Sequence, residues 1–210
     1  GPLTGIGSFV ITPDLPLMIF WGFALLVFSE ISKDSDRRSL WLVLGAVFGL
    51  GMLSKYTMVL FAPAALIVLY REKKLYLLKT PWPWMGGFLA LVTFLPVIIW
   101  NFQHDFASFG FQAKHGLAQQ NFDYKWPIQY VLGQWGLLNP IVAGVATFVG
   151  WNLRREKPLL VWFALFPLLF FFLTSFRARV EPNWPVTAYP AVVALSLYGL
   201  ERYKNWFKGA

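Results

Sequence analysis

The chain has no cysteine and only two histidines among its 210 residues, which excludes several kinds of site. Without cysteine there is no disulfide and no thiolate metal site. The sequence also lacks a Gly-x-x-x-x-Gly-Lys-Ser/Thr phosphate loop, a Gly-x-Gly-x-x-Gly dinucleotide fingerprint and a His-Glu-x-x-His zinc helix. Nucleotide-binding folds and zinc hydrolases of these types are therefore not expected.

Charged residues are also scarce, at 13% of the chain, whereas a soluble domain carries about a quarter. Hydrophobic residues make up 57%, the mean hydropathy is +0.54, and the apolar residues form continuous runs. Continuous runs predict membrane-spanning helices, because a membrane strand would alternate between lipid-facing and inward-facing residues. We therefore expect an all-α, polytopic transmembrane bundle in contact with membrane lipids.

Seven apolar segments predict about seven membrane segments in a single transmembrane domain over residues 1–210. They lie at 15–31, 40–53, 57–70, 84–101, 127–150, 159–176 and 184–200. The 11 tryptophans fit the aromatic belts of such a protein. The formal net charge of +8 does not indicate a nucleic-acid partner, because the basic residues lie in loops between the apolar segments.

A lone lysine interrupts the apolar stretch from residue 40 to residue 70. As one helix this stretch would be about 46 Å long, which exceeds the roughly 30 Å of a hydrocarbon layer. The sequence therefore predicts a short hairpin that turns at Ser54-Lys55, with the lysine at one membrane face. A charge at this depth is costly and is usually functional. The ordinary alternative is a lysine that snorkels to the interface.

Hydroxyl groups flank this lysine, at Ser54, Tyr56 and Thr57. The helix that follows would offer its N-terminal amides to the same ligand. This combination predicts a phosphate site near the lipid headgroups, with Lys55 and Tyr56 as candidate binding residues.

Most basic residues fall on one side of the predicted bundle. Only five of the 18 lie on the other side, at Lys55, Lys114, Lys125, Arg177 and Arg179. The positive-inside rule makes the crowded side cytoplasmic. The polar residues that anchoring does not explain therefore face outward, including an outer loop at 102–126 with a short amphipathic helix.

Asp14 lies in Thr12-Pro13-Asp14-Leu15-Pro16, at the start of the first segment. Pro16 suits the first turn of a helix, so Asp14 is one candidate cap for the free backbone amides. The alternative is a carboxylate at the rim of an outward-facing cavity, where it would position a substrate hydroxyl or a cation. The sequence leaves both interpretations open.

Two further outer stretches carry candidate residues. His104 and His115 are either metal ligands and proton carriers or ordinary loop histidines, since their spacing is not that of a tight metal motif. The second stretch precedes the last segment, and arginine forks there suit phosphate oxygens. A surface Arg–Glu pair is the alternative, and its tryptophan either stacks on a sugar or belongs to the aromatic belt; the candidates are Arg177, Arg179, Glu181, Asn183 and Trp184.

Five stretches in order resemble a known family. They are Ile11-Thr-Pro-Asp-Leu-Pro-Leu17, Gly49-Leu-Gly-Met-Leu-Ser-Lys-Tyr-Thr57, Pro96-Val-Ile-Ile-Trp-Asn-Phe-Gln-His104, Ser108-Phe-Gly-Phe-Gln112 and Arg179-Val-Glu-Pro-Asn-Trp-Pro185. The family is the bacterial branch of the dolichyl-phosphate-mannose–protein mannosyltransferase-like membrane glycosyltransferases. These have the GT-C architecture and are related to the lipid A aminoarabinose transferases.

The resemblance implies an inverting transferase that moves a sugar from a polyprenyl-phosphate carrier to a lipid or protein acceptor of the envelope. It places the protein in the bacterial inner membrane, with many crossings and a periplasmic active face. It also implies that Lys55 faces the carrier phosphate, that Asp14 lies at the cavity rim and, more loosely, that His115 binds a divalent metal. The outer motif at 177–184 would line the substrate cavity, and no other cofactor is implied.

In this family the acidic catalytic motif lies in the first periplasmic loop, upstream of the stretch matched here. We therefore expect a fragment of the membrane domain that carries the carrier-phosphate-binding half of the site and is inactive alone. Two other readings stay open. One is a lipid-linked-sugar flippase or transporter without bond chemistry, and the other is a catalytically silent membrane subunit.

Overall fold

The computed structural model describes residues 12–34, 36–117 and 123–202, with the side chains at 115–117 outside that description. All regular elements in these ranges are helices, which confirms the all-α class. Three short 3-10 helices lie at Tyr56–Leu60, Leu75–Lys79 and Trp184–Ala188. The α-helices are α1 (Asp14–Lys33), α2 (Leu40–Ser54), α3 (Phe61–Arg71), α4 (Pro81–Gln103), α5 (Ala107–Leu117), α6 (Lys125–Leu138), α7 (Pro140–Leu153), α8 (Pro158–Thr174) and α9 (Tyr189–Arg202).

Two of the described helices, α1 and α4, are long and apolar enough to cross a membrane. Helices α6 and α7 would form a third span if they are taken together, although they are bent by 100°. Large apolar side chains remain on the outside of the bundle; Leu26 is 65% exposed and Phe88 is 68% exposed. Such a surface suits lipid rather than water. The described helices therefore support a membrane protein, while seven crossings remain a prediction.

The predicted apolar segment 127–150 is divided between two helices rather than forming one continuous helix. Helix α6 ends at Leu138, Asn139 adopts φ 65° and ψ 127°, and α7 begins at Pro140. Proline disfavours the helical conformation of the residue before it and has no amide hydrogen to donate. Asn139 then caps α7, because its Oδ1 accepts the N–H of Ile141 at 2.9 Å.

The chain turns at Ser54-Lys55, as the length of the apolar stretch predicts. Helix α2 ends at Ser54, and Lys55 is extended, with φ −160° and ψ 136°. Lys55 then contacts Asp14 at the beginning of α1, whereas Glu72, just after α3, accepts the hydroxyl of Ser32 near the end of α1. The turn at Lys55 therefore lies at the beginning of α1, and the end of α3 lies near the end of α1.

Helices α2 and α4 pack with their backbones in close contact. A Cβ atom at Gly45 would collide with the carbonyl group of Gly86, and one at Gly86 would collide with the carbonyl oxygen of Trp41. A Cβ at Gly49 would lie 2.6 Å from Cβ of Thr93. Small residues allow this approach between membrane helices. The contact fixes α2, and thus the turn at its end, against α4.

Aromatic side chains fill the centre of the bundle. Trp21, Phe61 and Phe163 are almost completely buried and come from α1, α3 and α8. The ring centroids of Trp21 and Phe61 are 5.2 Å apart, and those of Phe61 and Phe163 are 4.6 Å apart. Edge-on and tilted packing of this kind suits the charge distribution of aromatic rings. It holds α1 and α8 together, so that the beginning of α1 lies beside the segment that follows α8.

Candidate functional site

Three distant segments meet at Asp14. Lys55 Nζ donates to Asp14 Oδ1 at 2.5 Å, and Asn183 Nδ2 donates to Asp14 Oδ2 at 2.7 Å. Asp14 opens α1, Lys55 ends α2, and Asn183 precedes the 3-10 helix at Trp184–Ala188. The fold thus brings together two of the predicted candidates from the first half of the chain with one from the last.

The Asp14 carboxylate does not cap α1. Pro13 occupies the N-cap position, and no side chain there hydrogen-bonds the free amides. Both carboxylate oxygens are instead directed to Lys55 and Asn183. The capping interpretation of Asp14 is therefore wrong, because the more distant cation and amide take both oxygens.

The Asp14–Lys55 pair is largely shielded from solvent. The side chain of Asp14 is 16% exposed and that of Lys55 is 24% exposed. Charges in such a place attract each other more strongly than on an open surface, but each also loses hydration. An ammonium has three N–H donors, and within the described residues Asp14 is the hydrogen-bond partner of Lys55. The pair can therefore hold the cation in place while donors remain for an anionic ligand.

Tyr56 directs its hydroxyl away from this pair. It shares a hydrogen bond of 2.7 Å with Ser108 Oγ in α5. The Tyr56 ring lies against Phe94 and Phe109, with centroid distances of 5.8 and 5.6 Å. The element after Lys55 is a five-residue 3-10 helix, so the expected α-helical N-terminus does not form next to the lysine. The predicted anion site therefore depends on side chains rather than on helix amides.

The two arginines of the outer motif do not join the Asp14 cluster. Arg177 is exposed, and Arg179 Nε lies 3.9 Å from Glu181 Oε1 with both side chains about half or more exposed, at 67% and 48%. Exposed pairs of this kind contribute little to stability. For Arg179 and Glu181 the geometry matches the surface-pair alternative.

Trp184 is half-buried and packs toward the bundle. Its ring lies 5.8 Å from that of Phe171 in α8, at an angle of 59°. The next residues, from Pro185 to Tyr189, are buried. This packing anchors the segment that carries Asn183 against α8.

The histidines form no metal cluster in the described part of the chain. His104 is exposed, its ring stacks on Trp100 at 4.2 Å, and its Nδ1 lies 2.8 Å from the carbonyl oxygen of Trp100. Among the described residues no group of three or more histidine, cysteine, aspartate or glutamate side chains could hold an ion. The side chain of His115 lies outside the described residues, so its predicted metal role stays a prediction.

Two polar residues near the cluster were not among the candidates drawn from the sequence. Asn101 is completely buried near the end of α4, and Ser108 lies in the first turn of α5. Asn101 hydrogen-bonds Ser108, which in turn reaches Tyr56. The signal available in the sequence was a single amide at the end of the long apolar run 84–101.

The described helices form a bundle with an apolar surface and a shielded ion pair at the beginning of α1, which suits a membrane protein with a polar site. Residues 2–100, just under half of the chain, match the family described as dolichyl-phosphate-mannose-protein mannosyltransferase. The resemblance drawn from the five sequence stretches is thereby confirmed. The chain is thus similar to this family over its first half.

Two curated proteins match along nearly the whole chain. The lipid A galacturonosyltransferase RgtD of Rhizobium johnstonii is 26% identical, over 99% of this chain and 44% of its own length. Undecaprenyl phosphate-alpha-4-amino-4-deoxy-L-arabinose arabinosyl transferase 1 of Sodalis glossinidius is 27% identical, over 94% of this chain and 37% of its own length. The chain therefore spans less than half the length of these relatives. No solved structure matches it.

Proposed function

We propose that the chain is the donor-binding part of an inverting glycosyltransferase of the bacterial inner membrane. In the proposed reaction an acceptor hydroxyl attacks the anomeric carbon of the sugar. The bond from that carbon to the phosphate oxygen breaks, polyprenyl phosphate leaves, and the hydroxyl proton passes to a base. The acceptor is a lipid or protein of the envelope, and the reaction takes place on the periplasmic face of a multi-pass domain with about seven segments in this chain.

The observation that carries the proposal is the ammonium of Lys55 beside Asp14 and Asn183. A leaving phosphate gains negative charge as the sugar bond breaks, and a fixed cation in a shielded site stabilises that charge. Asp14 holds Lys55 in place, and Asn183 fixes Asp14. A relative whose name includes undecaprenyl phosphate supports a polyprenyl-phosphate donor.

In this proposal the chain binds the donor, and it does not supply the base that takes the proton from the acceptor hydroxyl. Asp14 is engaged by Lys55 and Asn183, so it is not free to take a proton from an acceptor. The curated relatives are more than twice as long as their aligned parts. We assign the acid–base carboxylate to another part of the intact protein, and we expect residues 1–210 alone to be inactive.

The test uses the intact protein in liposomes with a polyprenyl-phosphate-linked sugar, and mass spectrometry follows the glycosylated acceptor. Lys55→Ala should lower transfer on the order of 100-fold or more, as removal of one charge-stabilising donor does in other active sites. Lys33→Ala is the matched control, because Lys33 forms an exposed pair with Glu30 at the other end of α1. It should leave transfer unchanged. Transfer at the wild-type rate by Lys55→Ala would remove Lys55 from the site.

The same liposomes separate the transferase from a flippase. If the intact protein moves the labelled donor between leaflets but forms no glycosylated product, the flippase alternative replaces the proposal. Product formation with donor supplied on both leaflets supports the transferase, because translocation is then not required.

A further inference from the structure

We infer that Asn101 and Ser108 are positioning residues for the carrier-phosphate site, acting through Tyr56 on the adjacent Lys55. The inference rests on the proposed function and adds to it two residues in a different helix pair. It concerns where the donor phosphate is held, not the chemistry of the transfer. Neither residue touches the Asp14 cluster directly.

Asn101 uses its whole side-chain amide to hold the start of α5. Its Nδ2 donates to Val97 O at 2.9 Å and to Ser108 Oγ at 3.0 Å. Its Oδ1 accepts the backbone N–H groups of Ser108 at 3.2 Å and Phe109 at 3.3 Å. A completely buried amide with all these bonds is a strong constraint, because each lost partner would leave a buried polar group unsatisfied.

The backbone between α4 and α5 needs this constraint. Asp105 and Phe106 both have positive φ angles, 51° and 56°, which side-chain-bearing residues adopt at a cost. Such conformations persist where the surrounding structure determines them. Here the N–H of Phe106 donates to Asn101 O at 2.8 Å, so the same residue fixes the turn and the helix after it.

Ser108 connects Asn101 to Tyr56, the residue after Lys55. Its Oγ accepts from Asn101 and forms the 2.7 Å hydrogen bond with the Tyr56 hydroxyl. Tyr56 follows Lys55 directly and its ring is confined between Phe94 of α4 and Phe109 of α5. The backbone at Lys55 is extended and belongs to no helix, so Tyr56 is its nearest firm attachment on the C-terminal side. The hydroxyl contact thus links the turn between α4 and α5 to the orientation of the Lys55 side chain.

A double-mutant cycle on the intact purified protein tests this connection, with undecaprenyl phosphate as the probe and tryptophan fluorescence as the readout. Tyr56→Phe and Ser108→Ala should each weaken binding roughly three- to tenfold, the effect of losing one hydrogen bond. Ser108→Ala also removes the acceptor of Asn101 Nδ2, but the Tyr56–Ser108 hydrogen bond is lost in both single variants. The double variant should therefore bind no more weakly than Ser108→Ala alone. The thermal midpoint of Tyr56→Phe should remain close to that of the wild type, whereas Ser108→Ala should lower it, because the buried Asn101 amide loses one acceptor.

Tyr130→Phe is the matched control. Its hydroxyl donates to Leu168 O at 2.7 Å, a bond of the same length in a different part of the bundle. It should leave the affinity for undecaprenyl phosphate unchanged.

The outcomes separate the inference from the proposed function. If Lys55→Ala weakens binding while Tyr56→Phe and Ser108→Ala do not, or if their effects add, the positioning role is refuted and the phosphate site stands. If Lys55→Ala itself leaves binding unchanged, the proposed phosphate site fails, and the inference fails with it. Equal losses in Tyr130→Phe and Tyr56→Phe would also overturn the inference, because the effect would then be general.

Discussion

The two ends of α1 each carry a lysine–carboxylate pair of similar exposure. At one end Asp14 and Lys55 are 16% and 24% exposed, and at the other Glu72 and Lys74 are 19% and 27% exposed. Burial alone therefore does not distinguish the two pairs. Their partners do.

At the end of α1, Glu72 and Lys74 bond to each other and to Ser32. Lys74 donates to Glu72 at 3.1 Å and to the carbonyl oxygen of Ser32, and Glu72 also accepts the Ser32 hydroxyl. These two charged residues are two positions apart and complete one local turn. The Asp14–Lys55 pair instead joins segments 41 residues apart, and the ammonium has one protein partner among the described residues. The difference indicates a structural clamp at one end and a site with donors to spare at the other.

The largest effect on transfer is expected when the charges of Asp14 and Lys55 are exchanged. In the double variant D14K/K55D the ion pair can re-form, and Asn183 can turn its amide oxygen toward the new lysine. The thermal midpoint should therefore stay near that of the wild type. Transfer should fall on the order of 100-fold or more, because the cation has moved away from the α2 turn.

The corresponding exchange at the other end, E72K/K74E, is the control. It retains one local ion pair and should leave transfer within about twofold of the wild type, below the effect expected of one lost hydrogen bond. Full transfer by D14K/K55D would mean that the pair matters and the position of the lysine does not.

Removing the clamp should affect stability and not binding. Glu72→Ala leaves the Ser32 hydroxyl and one donor of Lys74 without their acceptor in a shielded place. We expect the free energy of unfolding to fall by about 1–3 kcal/mol, measured by thermal unfolding in detergent. Affinity for undecaprenyl phosphate should not change. Glu30→Ala, which breaks exposed pairs with Lys33 and Arg37, should change the free energy of unfolding much less than Glu72→Ala does.

A smaller effect is expected at the third member of the outer cluster. Asn183→Ala removes one hydrogen bond to Asp14 and leaves Lys55 in contact with the same carboxylate. Donor affinity should fall roughly three- to tenfold, the effect of one hydrogen bond. Asn152→Ala is the control, because Asn152 is exposed and, within the described residues, its side chain donates to Phe148 O in its own helix. Equal effects from the two variants would argue against a role for Asn183 in the site.

Local patterns predict the helices and the lysine turn well. The turn at Lys55 follows from the length of the apolar stretch, which a membrane cannot accommodate as one rod. The break at Asn139-Pro140 was also visible as an asparagine before a proline, but the strong apolar character of 127–150 concealed it. A continuous apolar pattern records burial in lipid and does not record helix direction.

The contacts within the Asp14 cluster could not be predicted from local sequence patterns. Asp14 and Asn183 are 169 residues apart, and nothing near either residue indicates the other. Sequence patterns identified Asp14 and Lys55 as separate candidates and gave no contact between them, because a contact between helices depends on how the helices pack. Asn101 was missed for the same reason, since its role depends on α5 folding back over the Tyr56 ring.

The smallest effect belongs to a third pair, on the surface between α7 and α9. A hydrogen bond from Arg202, together with the charges of Arg202 and Lys157, holds the pKa of Glu156 below its ordinary value, although desolvation acts in the opposite direction. Because the pKa is lowered on folding, the stabilisation is present above the ordinary glutamate pKa and is lost as the pH falls through the lowered value. The thermal midpoint of the wild type should therefore exceed that of Glu156→Gln slightly near pH 7, and the difference should vanish in acid. A change in donor affinity in this variant would contradict the comparison, since an exposed surface pair would then affect binding as the Lys55 cluster does.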